Sequence, residues 1–286
     1  MLTRLILAVL LAAPLPALAR CKGGIYVFPT PGSVIPTNST FILEGAGEFA
    51  DKVSKLAGRN DLVLKSKTEQ VDVTVGRSRG VDYWTSSRMI DGKDQPSRVA
   101  VVLTLPKGHV LTPNTQYTLL IDRVLNGYSI LNESSGDTVS WTTGGVQHSS
   151  KEAKDEKQSQ ADKDRDQGID RVAPKYQVKP AVEEGFYKKD GDNLVRYLKM
   201  RVTLAEEAPA YFIISMQRAR GSTLVQKYPV PINGGEAILG HDACSGSFDF
   251  EDGRAYKLNV ETYDAAGNKV AEPLKTIEVQ APRPPL

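Results

Sequence analysis

The chain alternates. In Val71-x-Val73-x-Val75, Val99-x-Val101-x-Leu103-x-Leu105 and Tyr117-x-Leu119-x-Ile121, every second residue is apolar. The pattern returns in Leu198-x-Met200-x-Val202-x-Leu204, Tyr256-x-Leu258-x-Val260 and Ile277-x-Val279. A period of two is the period of the β-pleat, with one face turned to a core and the other to water. Shorter apolar runs stand at 25–28, 41–43, 62–64 and 139–141, and a more continuous one at 211–216. Turn formers separate them: Pro29-Thr30-Pro31-Gly32, Pro106-Lys107-Gly108, Asn233-Gly234-Gly235 and Glu251-Asp252-Gly253. Short strands, frequent turns and no βαβ rhythm predict an all-β chain of antiparallel sandwiches. Residues 48–56 fit either a short helix or an ordered loop.

The alternation breaks once. Residues 147–171 read QHSSKEAKDEKQSQADKDRDQGIDR, dense in charge and nearly free of apolar side chains. Such a segment cannot bury enough surface to offset the entropy of ordering. As a flexible tether its ends would lie about 25–30 Å apart. The expected organisation is a first β-sandwich domain at 20–146, a charged, disordered linker at 147–173, a second β-sandwich at 174–281 and a Pro-rich tail at 282–286.

The first nineteen residues, MLTRLILAVLLAAPLPALA, stand apart. Arg4 precedes an apolar run ending in Ala17-Leu18-Ala19, the small-x-small pattern of a cleavable signal peptide. The run is broken by Pro14 and Pro16 and falls short of the roughly 20 residues of a membrane span. The sequence therefore predicts export, with the mature chain periplasmic or extracellular and without a membrane span. Lys and Arg total 36 against 34 Asp and Glu, a formal net charge of +2. That balance excludes the basic excess of a nucleic-acid binder and the polybasic patch that anionic lipids attract.

The two cysteines are Cys21 and Cys244. An even count in an exported chain favours a disulfide. A Cys21–Cys244 bridge would tie the two domains, and closing a loop of roughly 220 residues is worth about 5 kcal/mol in the chain-entropy treatment. Two free thiols and an intermolecular bridge are the competing readings. Lipidation of Cys21, as in an outer-membrane lipoprotein, is disfavoured because the long, charged Arg20 stands where a small residue is required.

The halves share one feature. A turn precedes Tyr117, which opens the alternating strand Tyr-Thr-Leu-Leu-Ile, and another precedes Tyr256, which opens Tyr-Lys-Leu-Asn-Val. Both suit a tyrosine corner, in which the ring packs in the core and the hydroxyl bonds upstream backbone. With Pro31-Gly32, Pro36-Thr-Asn, Leu111-x-Pro113-x-Thr115-x-Tyr117 and Trp141-Thr142-Thr143-Gly144, the first domain resembles the bacterial Ig-like domain of S-layer and other exported proteins. Asp170, Pro174 and Tyr263-Asp264-Ala-Ala-Gly267-Asn268 make the second similar to bacterial Ig-like or fibronectin III-like modules. Neither resemblance implies catalytic residues or a cofactor.

Chemical motifs are sparse. His109, His148 and His241 fall in no metal-binding spacing. His241, Asp242 and Cys244 are adjacent in sequence, which does not make a triad converge in space. The acidic turns Asp190-Gly-Asp192-Asn193 and Asp249-x-Glu251-Asp252 offer oxygens to calcium but lack the EF-hand spacing. No catalytic, metal or cofactor site is assigned. Tyr83-Trp84 is the one carbohydrate hint, with Trp84 a candidate exposed aromatic contact. The sequence thus points to an exported, non-enzymatic protein with a structural or binding role at the cell envelope and an unidentified protein or glycan partner. A carbohydrate-binding accessory protein and a two-domain, periplasmic chaperone-like protein are the alternatives. The charged tether argues against the last, whose domains would need a fixed angle.

Overall fold

The computed structural model describes residues 23–283 except 77–82, 91–92, 123, 132–137, 145–166, 191–192, 207, 222–223 and 242–246. At 83–97, 188–195 and 241 it describes backbone alone. Residues 1–19, Cys21, Cys244, most of the charged segment, the last three residues and the side chain of Trp84 therefore lie outside the description.

The described chain is nearly all β. Its N-terminal unit holds β1 (Gly24–Phe28), β2 (Val34–Ile35), β3 (Phe41–Ala46), α1 (Glu48–Ser54), β4 (Leu62–Lys65), β5 (Gln70–Val75), β6 (Tyr83–Ile90), β7 (Lys93–Thr104), β8 (Gln116–Leu119) and β9 (Ser140–Thr143). These strands run in the order β1-β3-β7-β5-β4-β8-β9-β2, with β6 also on β7. β5 links the two halves of this sheet, pairing with β4 along its length and with β7 at Thr74 and Val75. The sheet therefore folds over on itself in a sandwich-like arrangement. Val71, Val73 and Val75 point inward from β5, while Gln70, Asp72 and Thr74 point out. The core they enter includes Phe41, Leu43, Tyr117, Ile121 and Trp141.

Residues 48–54 of the ambiguous stretch are helical, and α1 buries Phe49, Ala50 and Val53. Its backbone passes so close to β3 that a Cβ at Gly45 would lie 2.3 Å from the Phe49 carbonyl oxygen. Only glycine admits the helix there.

The C-terminal unit has two sheets. One orders β10 (Tyr176–Asp190), β11 (Asn193–Leu204) and β14 (Glu236–His241) as β10-β11-β14. The other contains β12 (Ala210–Arg218), β13 (Leu224–Ile232), β15 (Ala255–Asp264) and β16 (Ile277–Gln280), ordered β13-β12-β15-β16. Leu198, Met200, Val202, Ala237 and Leu239 from the first sheet meet Phe212, Ile214, Met216, Tyr256 and Leu258 from the second.

The two units pack together. β3 is buried at all six positions rather than at alternate ones. Phe41 and Leu43 enter the N-terminal core, whereas Phe28, Ile42 and Ala100 join the apolar cluster of the C-terminal unit. Phe28 meets Tyr211 edge to face at 5.1 Å between centroids. The last residues of the charged segment are held as well. The Thr37 N–H donates to the Gly168 carbonyl and its hydroxyl to that of Gln167, each at 2.9 Å. Asn38 exchanges side-chain hydrogen bonds with the Asp170 backbone at 2.7 and 2.9 Å. Groups of both units thus satisfy the backbone at 167–170 and seat it at their junction.

Candidate functional site

The interface holds a buried charge pair. Glu44 on β3 and Arg98 on β7 sit on the outer face of the N-terminal sheet, offset diagonally because Glu44 pairs in register with Ala100 and Arg98 with Ala46. Arg98 Nη1 lies 2.6 Å from Glu44 Oε1, and both side chains are 10% exposed or less. The guanidinium also stands 4.8 Å from the centroid of the Tyr26 ring. Burial raises the Glu44 pKa, while Arg98 pulls it back down. Tyr228 of β13 reaches this pair from the C-terminal unit. Its hydroxyl is fully buried without a hydrogen bond of good geometry. Burial first, and then the Glu44 carboxylate, push that phenol well above its usual range. Both charges belong to the N-terminal sheet and keep each other compensated there, while Tyr228 covers them from the C-terminal unit.

Beside the pair, the strands open. β13 and β14 are joined through Asn233-Gly234-Gly235, and Asn233 and Glu236 exchange both backbone hydrogen bonds, at 2.8 and 3.0 Å. Were the ladder to continue, the next bonded pairs would be Pro231 with Ile238 and Pro229 with Gly240. Proline has no N–H, so neither pair can close. The ladder unzips after one pair, sending β13 into one sheet and β14 into the other. Both prolines fall at the non-bonded positions of the β12–β13 pairing, opposite Tyr211 and Ile213, and leave it intact. On β14, the Val202 N–H donates to the Gly235 carbonyl, so Ala237 and Leu239 are the residues bonded to β11. The N–H and C=O of Ile238 therefore point into the gap, where nothing among the described residues meets them. The Gly240 carbonyl accepts from the Phe248 N–H at 3.4 Å.

The gap is a cleft of about 400 Å³ between the units. Phe28, Ile42 and the Glu44–Arg98 pair form its N-terminal wall, with Pro229, Val230 and Pro231 on one flank and Ile238 on the other. Tyr197 lies over Gly240, where a Cβ would come within 2.2 Å of the ring, so glycine shapes this wall too. A second, more open cleft of about 770 Å³ flanks the other side of the hairpin tip and shares Phe28, Thr30 and Asn233.

A polar junction closes the opposite side of the interface. The Asn268 side chain donates to the Asp170 carbonyl at 3.2 Å and to Asp264 Oδ2 at 3.0 Å, and its N–H donates to Asp264 Oδ1 at 2.8 Å. The Thr40 N–H donates to the Ala265 carbonyl at 2.8 Å. Burial pushes the Asp264 pKa up to about 6 against the hydrogen bonds from Asn268.

The remaining candidate residues are dispersed. The Thr112 N–H donates to the Tyr117 hydroxyl and the Glu251 N–H to the Tyr256 hydroxyl, each at 3.0 Å and each from five residues upstream. Tyr117 also donates to Glu69, which stands 3.1 Å from His109 Nε2. Of the acidic turn at 249–252, Asp252 pairs with Arg196, and Glu251 with Arg218 and Arg254. The Trp84 backbone lies on β6 opposite Ala100. Sequence reasoning missed Glu44, Arg98 and the β13 prolines. Two prolines spaced by two in an apolar run were the available signal. No protein-family model matches the chain, and no curated protein matches it.

Proposed function

We propose that the chain is an exported, non-enzymatic Ig-like protein that acts as a binding module at the cell envelope or outside the cell. The packed interface carries this reading. Phe28, Ile42 and Ala100 pack one sandwich-like unit against the other, and the Glu44–Arg98 pair lines the cleft beside β14. Its volume lies within the roughly 300–1,000 Å³ of ligand sites, and its walls are mostly apolar with a few placed polar groups. A two-domain chaperone-like role is the second reading, favoured by the same fixed packing.

The test combines fractionation and capture. An exported chain is recovered outside the cytoplasm with Arg20 as its first residue. Mature protein cross-linked in envelope fractions retains a polypeptide partner, and Ile238→Arg, which fills the cleft mouth with charge, releases it. Cytoplasmic retention, or recovery of no partner, overturns the proposal.

A further inference from the structure

We propose that Asp264, Asn268 and Asp170 form a proton-operated latch, which holds residues 167–170 across both units while the Asp264 carboxyl is protonated and loosens them as it ionises. The latch needs no bound partner and stands apart from the cleft.

The contact is built around one side chain. The Asn268 amide donates to the Asp170 carbonyl at 3.2 Å and to Asp264 Oδ2 at 3.0 Å, bridging the segment to the end of β15. The same carbonyl accepts a second bond from Asn38 of the N-terminal unit at 2.7 Å, and the Asp170 N–H donates back to Asn38 Oδ1 at 2.9 Å. Asp170 is thus shared between the units. The aim of the Asn268 amide depends in turn on Asp264, whose Oδ1 also accepts the Asn268 N–H at 2.8 Å.

The carboxyl at the centre of this contact is buried, 2% exposed, and forms no ion pair among the described residues. The groups packed on it offer no positive charge. From the segment comes Asp170, a second carboxylate, whose Oδ1 accepts the Val172 N–H at 2.9 Å. Ala210 of β12 lies opposite Asp264, and the neighbouring Tyr211 and Tyr263 bring phenols that burial keeps neutral. Asn38 and Thr40 of the N-terminal unit are uncharged. Lys269, the cation of the same turn, pairs with Glu261. Ionised Asp264 is therefore a charge held out of water beside a like charge. Burial raises its pKa from 3.8 to about 6; the Asn268 hydrogen bonds oppose that rise, and Asp170 adds a smaller push upward.

Release helps only the ionised form. Moving Asp170 away admits water to the carboxylate and removes the second negative charge, so the open latch has the lower pKa. The closed latch holds the extra proton, and opening is suppressed in acid and grows as pH rises through about 6. Full return to 3.8 makes the latch open about tenfold more readily at pH 7 than at pH 5, and a partial return makes the change about threefold.

The experiment reads the hydrogen-exchange protection of the Asp170 amide by NMR on the full chain at pH 5 and pH 7, each rate divided by that of an unstructured peptide at the same pH. Protection falls at least about threefold from pH 5 to pH 7. At both pH values it stays below that of Phe212 in the C-terminal core, whose amide opens only with the whole fold, so the change belongs to the latch. Asp264→Asn, neutral throughout, protects Asp170 equally at both. Asp170→Asn keeps the backbone bridge and the acceptor for Val172 but removes the second charge, and the pH response shrinks. Equal wild-type protection at the two pH values, protection of Asp170 equal to that of Phe212, or an unchanged pH response in Asp264→Asn overturns the inference. Should Asp264→Asn not fold, Asp170→Asn decides, and an undiminished response there overturns it.

Discussion

The Glu44–Arg98 pair gives the sharpest energetic prediction. Glu44→Met removes the carboxylate that faces the buried Arg98 guanidinium at 2.6 Å. A guanidinium cannot shed its charge in a protein, so the loss is about 3–5 kcal/mol. Arg98→Met is milder, because burial already raises the Glu44 pKa and the orphaned carboxyl takes up a proton instead. The sign of its pH dependence follows. A folded-state carboxyl pKa above the unfolded value means that the folded chain holds the extra proton, so stability falls as pH rises from the unfolded pKa through the raised one. The double substitution to methionine returns near wild-type stability, within about 1–2 kcal/mol, because an apolar pair removes both desolvation penalties. Urea unfolding of the three variants at neutral pH measures the cycle. Against a typical reserve of about 5–15 kcal/mol, the expected effects are large. A loss below about 0.5 kcal/mol for Glu44→Met, the size of a surface substitution, refutes a buried interface, and a larger loss for Arg98→Met refutes the protonation argument.

Other outcomes follow from the same packing. Phe28→Ala removes the ring that meets Tyr211 and should destabilise the chain by about 3–4 kcal/mol, measured by the same unfolding. Tyr117→Phe and Tyr256→Phe each leave an upstream N–H without its acceptor and lower stability by about 1–2 kcal/mol; an unchanged midpoint would refute that role. Asp264 has its pKa raised from 3.8 to about 6, so the protein loses stability as pH rises through that window and regains it on acidification. A shift of roughly two units is worth about 3 kcal/mol, cut to about 1–2 kcal/mol by solvent screening at the turn. Asp264→Asn should flatten this part of the stability–pH curve.

The alternation was legible because β5 and β15 each bury one face only, and Val71 to Val75 and Tyr256 to Val260 carry the period openly. The helix was half legible: α1 is too short to show a helical stripe, and Gly45 signals it only once the close approach is seen. The interface was hidden for a different reason. Glu44 in β3 and Arg98 in β7 read as solvent-facing charges, since only the pairing of β3 with β7 brings them together and only the C-terminal unit covers them. The cleft depends on what the prolines fail to do. Pro229 and Pro231 leave the β12 ladder whole and abolish the β14 one, a consequence that requires the register and not merely the composition.

The two units share one apolar cluster through Phe28, Ile42 and Ala100. Backbone ¹⁵N relaxation of the chain tests that packing by comparing the tumbling time from amides of β5 with that from amides of β15. Locked units return a single rotational correlation time, which splits in Glu44→Met as the interface loosens. Two distinct and shorter times in the wild-type chain would mean that the units tumble independently, and the interface and the cleft it shapes would be wrong.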